Sequence, residues 1–221
     1  MRDPAQNQKK RRIAARMTFD IAIFDLDDVL CRYDLGARLR ALGRISHKTP
    51  RDIRAALWDS GFEDAADSGT YQDAEDYLAE FARRLGHPIS RADWIAARRA
   101  AIQPWPDMLA LVREIARHRR VALYTNNGPL MKAGLAEIFP EAAAIFGADC
   151  YFSFEFMTKK PDPESYRRLM QRLGIEAGKA WFTDDKKSNV DGARIAGLGA
   201  HHFTGRAGFE HEARALGLLT A

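Results

Sequence analysis

Three carboxylates end the first strongly apolar stretch of the chain. Residues 19–30 read FDIAIFDLDDVL, in which Asp25, Asp27 and Asp28 follow a run of apolar residues. The β-branched and aromatic residues of this run predict a strand that is buried on both faces of a parallel sheet. An ionised carboxylate beside an apolar interior costs several kcal/mol unless a cation or hydrogen-bond donors compensate it. We therefore expect a metal ion, a basic partner or both at the carboxyl end of this strand.

Polar segments follow three further predicted strands. VALYT ends at Thr125-Asn126-Asn127-Gly128, CYFSFEFMT ends at Lys159-Lys160-Pro161-Asp162-Pro163-Glu164, and AWFT ends at Asp184-Asp185. Each segment alone has a purely structural interpretation, as a turn, a helix cap or a solvated loop. Together they offer acids, a hydroxyl and a cation, which phosphoryl transfer to a carboxylate requires. The combination favours an aspartyl-phosphate mechanism in which Mg²⁺ bridges the acids to the phosphate.

The pattern of helices and strands predicts where these segments meet. After Pro106 the chain alternates between helical and strand-like runs, which is typical of a doubly wound parallel α/β sheet. In open sheets of this kind, ligands bind outside the carboxyl ends of the strands. Residues 35–102 lack strand-like runs and have helical periodicity, which predicts a small helical insertion. Its Trp58 and Trp94, with the later Trp105, are interpreted as packing residues, although one could line a pocket.

Charge is unevenly distributed along the chain. The whole sequence carries +4, but residues 1–16 alone carry +5, so the remainder is slightly acidic. We interpret residues 1–16 as a solvated, disordered tail. A non-enzymatic nucleic-acid binder would depend on its KKRR segment alone, so we expect no nucleic-acid partner.

Length and cysteine content indicate a single-core protein of a reducing compartment. A length of 221 residues, 46% of them hydrophobic, allows one core with a modest insertion. Cys31 and Cys150 are too few for a disulfide framework. No apolar run approaches the roughly 20 residues of a membrane span, and the N-terminus does not resemble a secretory signal. We expect a soluble, cytoplasmic protein.

The motifs DLDDVL, LYTNN, KKPDPESY and FTDDKKSNVDGARIAGLGA resemble those of the haloacid dehalogenase superfamily. The resemblance extends from Met17 to Phe203. It implies a Rossmann-like core over residues 17–32 and 104–221, with a helical cap inserted over residues 33–103. The cap is similar to those of a branch of phosphatases that act on sugar phosphates and other small phosphate esters.

The resemblance also implies roles for individual residues. Asp25 would be the nucleophile and Asp27 the general acid/base, and Lys160 would neutralise the nucleophile and the phosphate. Thr125 and the Asn126 amide would bind the phosphoryl group. The implied Mg²⁺ ligands are the Asp25 carboxylate, the Asp27 carbonyl oxygen, Asp184 and Asp185, with Asp185 preferred over Asp184 as the direct ligand.

Two alternatives share this superfamily. A 2-haloacid dehalogenase needs no metal and lacks the second acid, so Asp27 argues against it. A phosphomutase would share every catalytic residue, and the oligomeric state is also left open. One departure from the family pattern is Asp28, which stands where glycine is usual.

Overall fold

A five-stranded parallel sheet forms the centre of the molecule. The computed structural model describes residues 19–219. The strands are β1 (Ile21–Phe24), β2 (Cys31–Tyr33), β3 (Ile102–Pro104), β4 (Arg120–Thr125), β5 (Cys150–Phe152), β6 (Ala180–Asp184) and β7 (Gly199–His202). The order in the central sheet is β5-β4-β1-β6-β7, and every neighbouring pair is parallel. The predicted doubly wound α/β sheet is therefore confirmed.

Helices cover both faces of this sheet. The α-helices are α1 (Leu35–Ser46), α2 (Pro50–Arg54), α3 (Phe62–Asp67), α4 (Ala74–Leu85), α5 (Arg91–Arg99), α6 (Pro106–Ala116), α7 (Pro129–Ile138), α8 (Pro140–Phe146), α9 (Pro163–Leu173), α10 (Lys187–Ile195) and α11 (Arg206–Ala215). Successive β1 side chains point to opposite faces, as the period of a strand requires. Ala22 and Phe24 join one apolar core with residues of α6, α8 and α11, whereas Ile21 and Ile23 join a second core with residues of α9 and α10.

Helices α1 to α5 lie between β2 and β3, which pair with each other as a short antiparallel ribbon. The chain thus leaves the central sheet after β1 and returns to it through two adjacent strands. A π-helical turn, Ala55–Asp59, joins the region of α2 to α3. Helices α4 and α5 pack against α7 of the core. Gly134 of α7 allows this approach, because a Cβ there would lie 3.3 Å from Ile95 of α5.

One predicted strand is shorter than the sequence indicates. CYFSFEF is extended only over β5, and Ser153–Phe156 form a 3-10 helix. The Glu155 carboxylate turns back to accept a hydrogen bond from the Phe152 amide at 3.0 Å, and it also pairs with Lys132. These local bonds replace the ladder that a longer strand would have formed.

The structure leaves the predicted tail undescribed and contains no candidate membrane span among residues 19–219. The predicted basic tail, residues 1–16, lies outside the described residues. Among residues 19–219, no helix is both long enough and apolar enough to cross a membrane.

Candidate active site

The carboxyl ends of β1, β4 and β6 bring together most of the residues that the sequence singles out. Asp25 follows β1 directly, Thr125 ends β4 and Asp184 ends β6. Because β4 and β6 flank β1 on either side, their ends lie beside Asp25. Lys160 reaches the same place from the loop that precedes α9, with its Nζ 2.8 Å from Asp25 Oδ1 and 2.6 Å from Asp184 Oδ2. We call Asp25, Lys160, Asp184 and the neighbouring Asp185 the strand-end cluster.

Burial gives the strand-end cluster unusual electrostatics. Asp25, Lys160 and Asp184 are all buried, with Lys160 only 2% exposed. Burial raises the pKa of Asp25 to about 7, although Lys160 opposes the shift. Burial alone would lower the pKa of Lys160, but the attraction of Asp184 and Asp25 outweighs it and raises that pKa. Burial, followed by repulsion from Asp184, raises the pKa of Asp185. A further cation beside these carboxylates would favour their ionised forms and oppose the effect of burial.

The backbone of Lys160 is fixed by Asn126. The Asn126 side chain donates to the Lys160 carbonyl oxygen at 2.8 Å and accepts from the Lys160 amide at 3.0 Å. Lys160 Nζ also donates to the carbonyl oxygen of Tyr124 at 3.2 Å. The adjacent Lys159 points elsewhere and pairs with Asp64 of α3. The structure thus brings Lys160, rather than Lys159, to Asp25.

The acids of the strand-end cluster have the chemistry of a magnesium site. Carboxylate oxygens of Asp25, Asp184 and Asp185 lie within 4.8 Å of one another. Oxygen donors are the ligands that Mg²⁺ prefers, so this donor set fits the ion. Asn189 of α10 donates to both oxygens of Asp184, at 2.9 and 3.0 Å. His202 lies 2.8 Å from the Asp185 carbonyl oxygen and supports the adjoining loop.

Thr125 and Asn126 also face the cavity above the strand ends. The Thr125 hydroxyl is buried at the end of β4 and accepts a hydrogen bond from the Asn127 side chain at 2.8 Å. The Asn126 side-chain amide is committed to Lys160. The backbone amide of Asn126 follows Thr125 directly at the end of β4.

Asp27 and Asp28 occupy the tight turn between β1 and β2. Asp28 has a φ of 59°, which explains why glycine suits this position. Aspartate tolerates this left-handed conformation, and its side chain accepts a hydrogen bond from the Tyr33 amide at 3.1 Å. Cys31 is buried, and burial raises the pKa of its thiol, with the Asp27 charge adding to the shift. A thiolate nucleophile is therefore not favoured at Cys31.

A second wall closes the cavity from the side of helices α1 to α5. We call it the helical wall, and it consists of Arg38, Trp58, Glu63, Asp64, Asp67 and Arg98. With the strand ends it encloses a cavity of about 350 Å³. Arg98 of this wall contacts the core directly, with its Nη2 2.7 Å from Asp27 Oδ2.

Sequence reasoning did not identify the charged residues of the helical wall. Arg38 and Arg98 are both buried although they carry charge. One feature of the sequence does indicate Arg98. The buried residues Trp94, Ile95 and Ala97 mark the inner face of α5, and Arg98 falls on that face at helical spacing. A charged residue on the apolar face of an amphipathic helix therefore marks a site that needs a partner.

The chain matches known proteins over most of its length. Residues 19–197 match the family profile described as a haloacid dehalogenase-like hydrolase. The chain is also similar to a protein named "Phosphatase MT3486" from Mycobacterium tuberculosis. The two are 27% identical over 195 residues, covering 84% of this chain and 87% of that protein.

Solved structures show the same fold at lower identity. An enzyme of the haloacid dehalogenase family from Bacteroides thetaiotaomicron, crystallised with magnesium and inorganic phosphate, has a TM-score of 0.68 at 18% identity. The match covers 83% of this chain and 93% of that one. An L-2-haloacid dehalogenase from Xanthobacter autotrophicus, with chloropropionic acid covalently bound, has a TM-score of 0.59 at 19% identity, over 90% of this chain and 83% of that one.

Proposed function

This chain belongs to the haloacid dehalogenase-like hydrolases, and from that membership we propose that it is a Mg²⁺-dependent phosphatase of small phosphate esters. The observation that carries the proposal is the meeting of Asp25, Lys160 and two further acids at adjacent strand ends. The similar mycobacterial protein is named a phosphatase, and the similar Bacteroides enzyme was crystallised with magnesium and phosphate. Both findings support the same chemistry for this chain.

In the proposed reaction Asp25 attacks phosphorus and becomes an aspartyl-phosphate. Lys160, Thr125 and the backbone amide of Asn126 hold the phosphoryl oxygens. Asp27 gives a proton to the leaving alkoxide as the bond from phosphorus to that oxygen breaks. In the second step Asp27 takes a proton from the water that attacks phosphorus and releases Asp25.

Mg²⁺ would be held by carboxylates of Asp25, Asp184 and Asp185, together with the carbonyl oxygen of Asp27. When bound, the ion neutralises the negative charge of the phosphate and the acids that surround it. We prefer Asp185 over Asp184 as the direct ligand among the last two acids, because Asp184 is already engaged by Lys160 and Asn189.

Helices α1 to α5 would act as a cap that selects the substrate. Residues 33–103 form this cap in the proposal, and residues 17–32 and 104–221 form the core. Trp58 offers an aromatic face and Glu63 a carboxylate, and both line the cavity. These groups suit the ring and the hydroxyls of a sugar, so sugar phosphates are the first substrates to examine.

A substrate panel tests the proposal. Purified protein is incubated with sugar phosphates and other phosphomonoesters in the presence of Mg²⁺, with excess EDTA as one control and 2-chloropropionate as another. We expect phosphate release that EDTA abolishes. Halide release without metal would identify a dehalogenase, and an isomerised phosphate ester without net phosphate release would identify a mutase. Undiminished phosphate release in EDTA would contradict the metal requirement.

A further inference from the structure

Arg98 lines the cavity and forms an ion pair with Asp27. It lies in the last turn of α5, and its side chain is 1% exposed. Its Nη2 lies 2.7 Å from Asp27 Oδ2. The other side-chain contact of Asp27 is weak, with the Cys31 sulphur 3.9 Å from Oδ1. Among the described residues, Arg98 is thus the strong hydrogen-bond donor to this carboxylate.

The surroundings of Arg98 show that structural stability alone does not account for it. A buried guanidinium is costly unless its donors are satisfied. Within residues 19–219, its Nε and Nη1 atoms are buried without a hydrogen-bond partner. The ring of Tyr33 lies 4.3 Å from the guanidinium carbon and offers a weaker, cation–π contact. An apolar side chain of similar size would fill this place at lower cost, so the contact with Asp27 is the feature that arginine adds.

We infer that Arg98 is a positioning residue, which holds Asp27 by Oδ2 and leaves Oδ1 to transfer the proton. The inference rests on the proposed function, in which Asp27 protonates the leaving oxygen and later deprotonates water. A carboxylate on a short side chain can rotate, and one fixed oxygen removes that freedom. Because Arg98 comes from α5, proton transfer in the core depends on a helix of the inserted segment.

The leaving group separates this role from a structural one. An alkoxide needs a proton as its bond to phosphorus breaks, whereas 4-nitrophenolate leaves without one. The kcat/KM value reports the steps up to formation of the aspartyl-phosphate, so it isolates this first transfer. Loss of positioning should therefore lower kcat/KM for an alkyl ester and leave that for the nitrophenyl ester nearly unchanged.

The experiment compares benzyl phosphate with 4-nitrophenyl phosphate, two esters of similar size. In Arg98→Met we expect kcat/KM for benzyl phosphate to fall about 10- to 100-fold and that for the nitrophenyl ester less than about threefold. The Asp27 contact uses one N–H, so a lysine can replace it in part. Arg98→Lys should accordingly recover part of the activity on benzyl phosphate.

Two arginines provide matched controls. Arg91 lies on the same helix but pairs with Glu137 on the surface, so Arg91→Met should leave both kcat/KM values unchanged. Arg38 is also buried and lines the same cavity, but it pairs with Glu63. Arg38→Met should change both esters by the same factor. If Arg98→Met does not fold, Arg98→Lys and Arg38→Lys carry the same comparison, with a leaving-group difference expected only in Arg98→Lys.

The possible outcomes separate this inference from the proposed function. A wild-type enzyme that releases phosphate neither from these two esters nor from any phosphomonoester of the substrate panel overturns both. An active wild-type enzyme whose Arg98 variants lose equal activity on the two esters overturns the positioning role and leaves the phosphatase intact. A selective loss on benzyl phosphate, with partial recovery in Arg98→Lys, supports the inference.

Discussion

The strand-end cluster and the helical wall hold buried charge in different ways. In the cluster, Lys160 contacts Asp25 and Asp184 directly, and Asn189 donates to Asp184 as well. In the helical wall, Arg38 and Arg98 each meet one carboxylate, and each keeps buried N–H groups that no described residue accepts. Aromatic rings partly compensate these unpaired groups through cation–π contacts. The guanidinium carbon of Arg38 lies 5.1 Å from the ring centroid of Trp58 and 4.9 Å from that of Trp94.

This difference indicates that the two regions have different functions. The strand-end cluster is fixed by short backbone segments and by mutual pairing, so its geometry is set before any substrate arrives. The helical wall is assembled from separate helices and is less completely paired. We therefore expect substitutions in the cluster to lower activity on all esters alike, and substitutions of wall residues that contact Asp27 or the substrate to affect some esters more than others.

Removal of the nucleophile should have the largest effect. Asp25→Asn leaves no carboxylate to carry the phosphoryl group, so we expect turnover to fall at least about 10⁴-fold for every ester. Steady-state assays over the substrate panel measure this loss. Asp27→Asn provides the comparison, because it should still release one equivalent of 4-nitrophenol rapidly while the aspartyl-phosphate accumulates. Activity retained in Asp25→Asn would show that the nucleophile has been misassigned.

The two adjacent lysines give the next largest contrast. Lys160→Met leaves Asp25 and Asp184 without their shared cation, so we expect activity to fall about 10²- to 10³-fold. The free energy of unfolding should also fall, by about 3–5 kcal/mol, because buried carboxylates lose their partner. Lys159 pairs with Asp64 at the rim, so Lys159→Met should change turnover less than about threefold and stability by less than about 1 kcal/mol. Equal losses in the two variants would contradict the geometry of the cluster.

The metal site should respond by a smaller factor. Asp185→Asn keeps the shape of the side chain but removes one charged oxygen ligand, so we expect the Mg²⁺ concentration for half-maximal activity to rise about 10- to 100-fold. Turnover at saturating Mg²⁺ should recover most of the wild-type value. A titration of activity against Mg²⁺ measures both quantities. An unchanged titration curve would indicate that Asp184, rather than Asp185, is the direct ligand.

The strand-end cluster could be predicted from sequence because its positions follow from topology. An apolar run followed by Asp25 predicts a buried strand and a polar strand end, and parallel strands bring such ends to one edge. The order of strands in the sheet then determines that Asp184 and Thr125 flank Asp25. Local patterns and one general rule sufficed for the acids, whereas the choice of Lys160 over Lys159 depended on the resemblance to a known family.

The helical wall could not be predicted in the same way. Arg98 reaches Asp27 across 71 positions of sequence, and the packing of α5 against the core decides the contact. Helical periodicity places Arg98 rather than Arg99 on the buried face of α5, but it does not identify Asp27 as the partner of Arg98. The predicted length of β5 was wrong for a related reason. The bond from Phe152 to the Glu155 side chain competes with the strand ladder, and hydrophobic alternation does not register it.

The smallest expected effect concerns Trp58, a cavity-lining aromatic residue of the helical wall. Trp58→Leu removes an aromatic face from the cavity while the strand-end cluster stays intact. A ring that contacts part of the substrate contributes on the order of 1 kcal/mol, so we expect KM for sugar phosphates to rise about three- to tenfold. For the smallest phosphate esters, which do not reach the helical wall, KM should stay within about twofold of wild type.

A matched tryptophan makes the Trp58 measurement interpretable. Trp105 is also partly buried, but it stacks on Phe203 with ring centroids 5.9 Å apart and does not line the active-site cavity. Trp105→Leu should therefore lower the melting temperature and leave KM for every ester unchanged. Measuring kcat and KM for both variants over the substrate panel separates lost substrate contact from lost packing. A uniform fall in kcat for Trp58→Leu, with KM unchanged, would show that the helical wall supports the chemistry of the strand-end cluster rather than the choice of substrate.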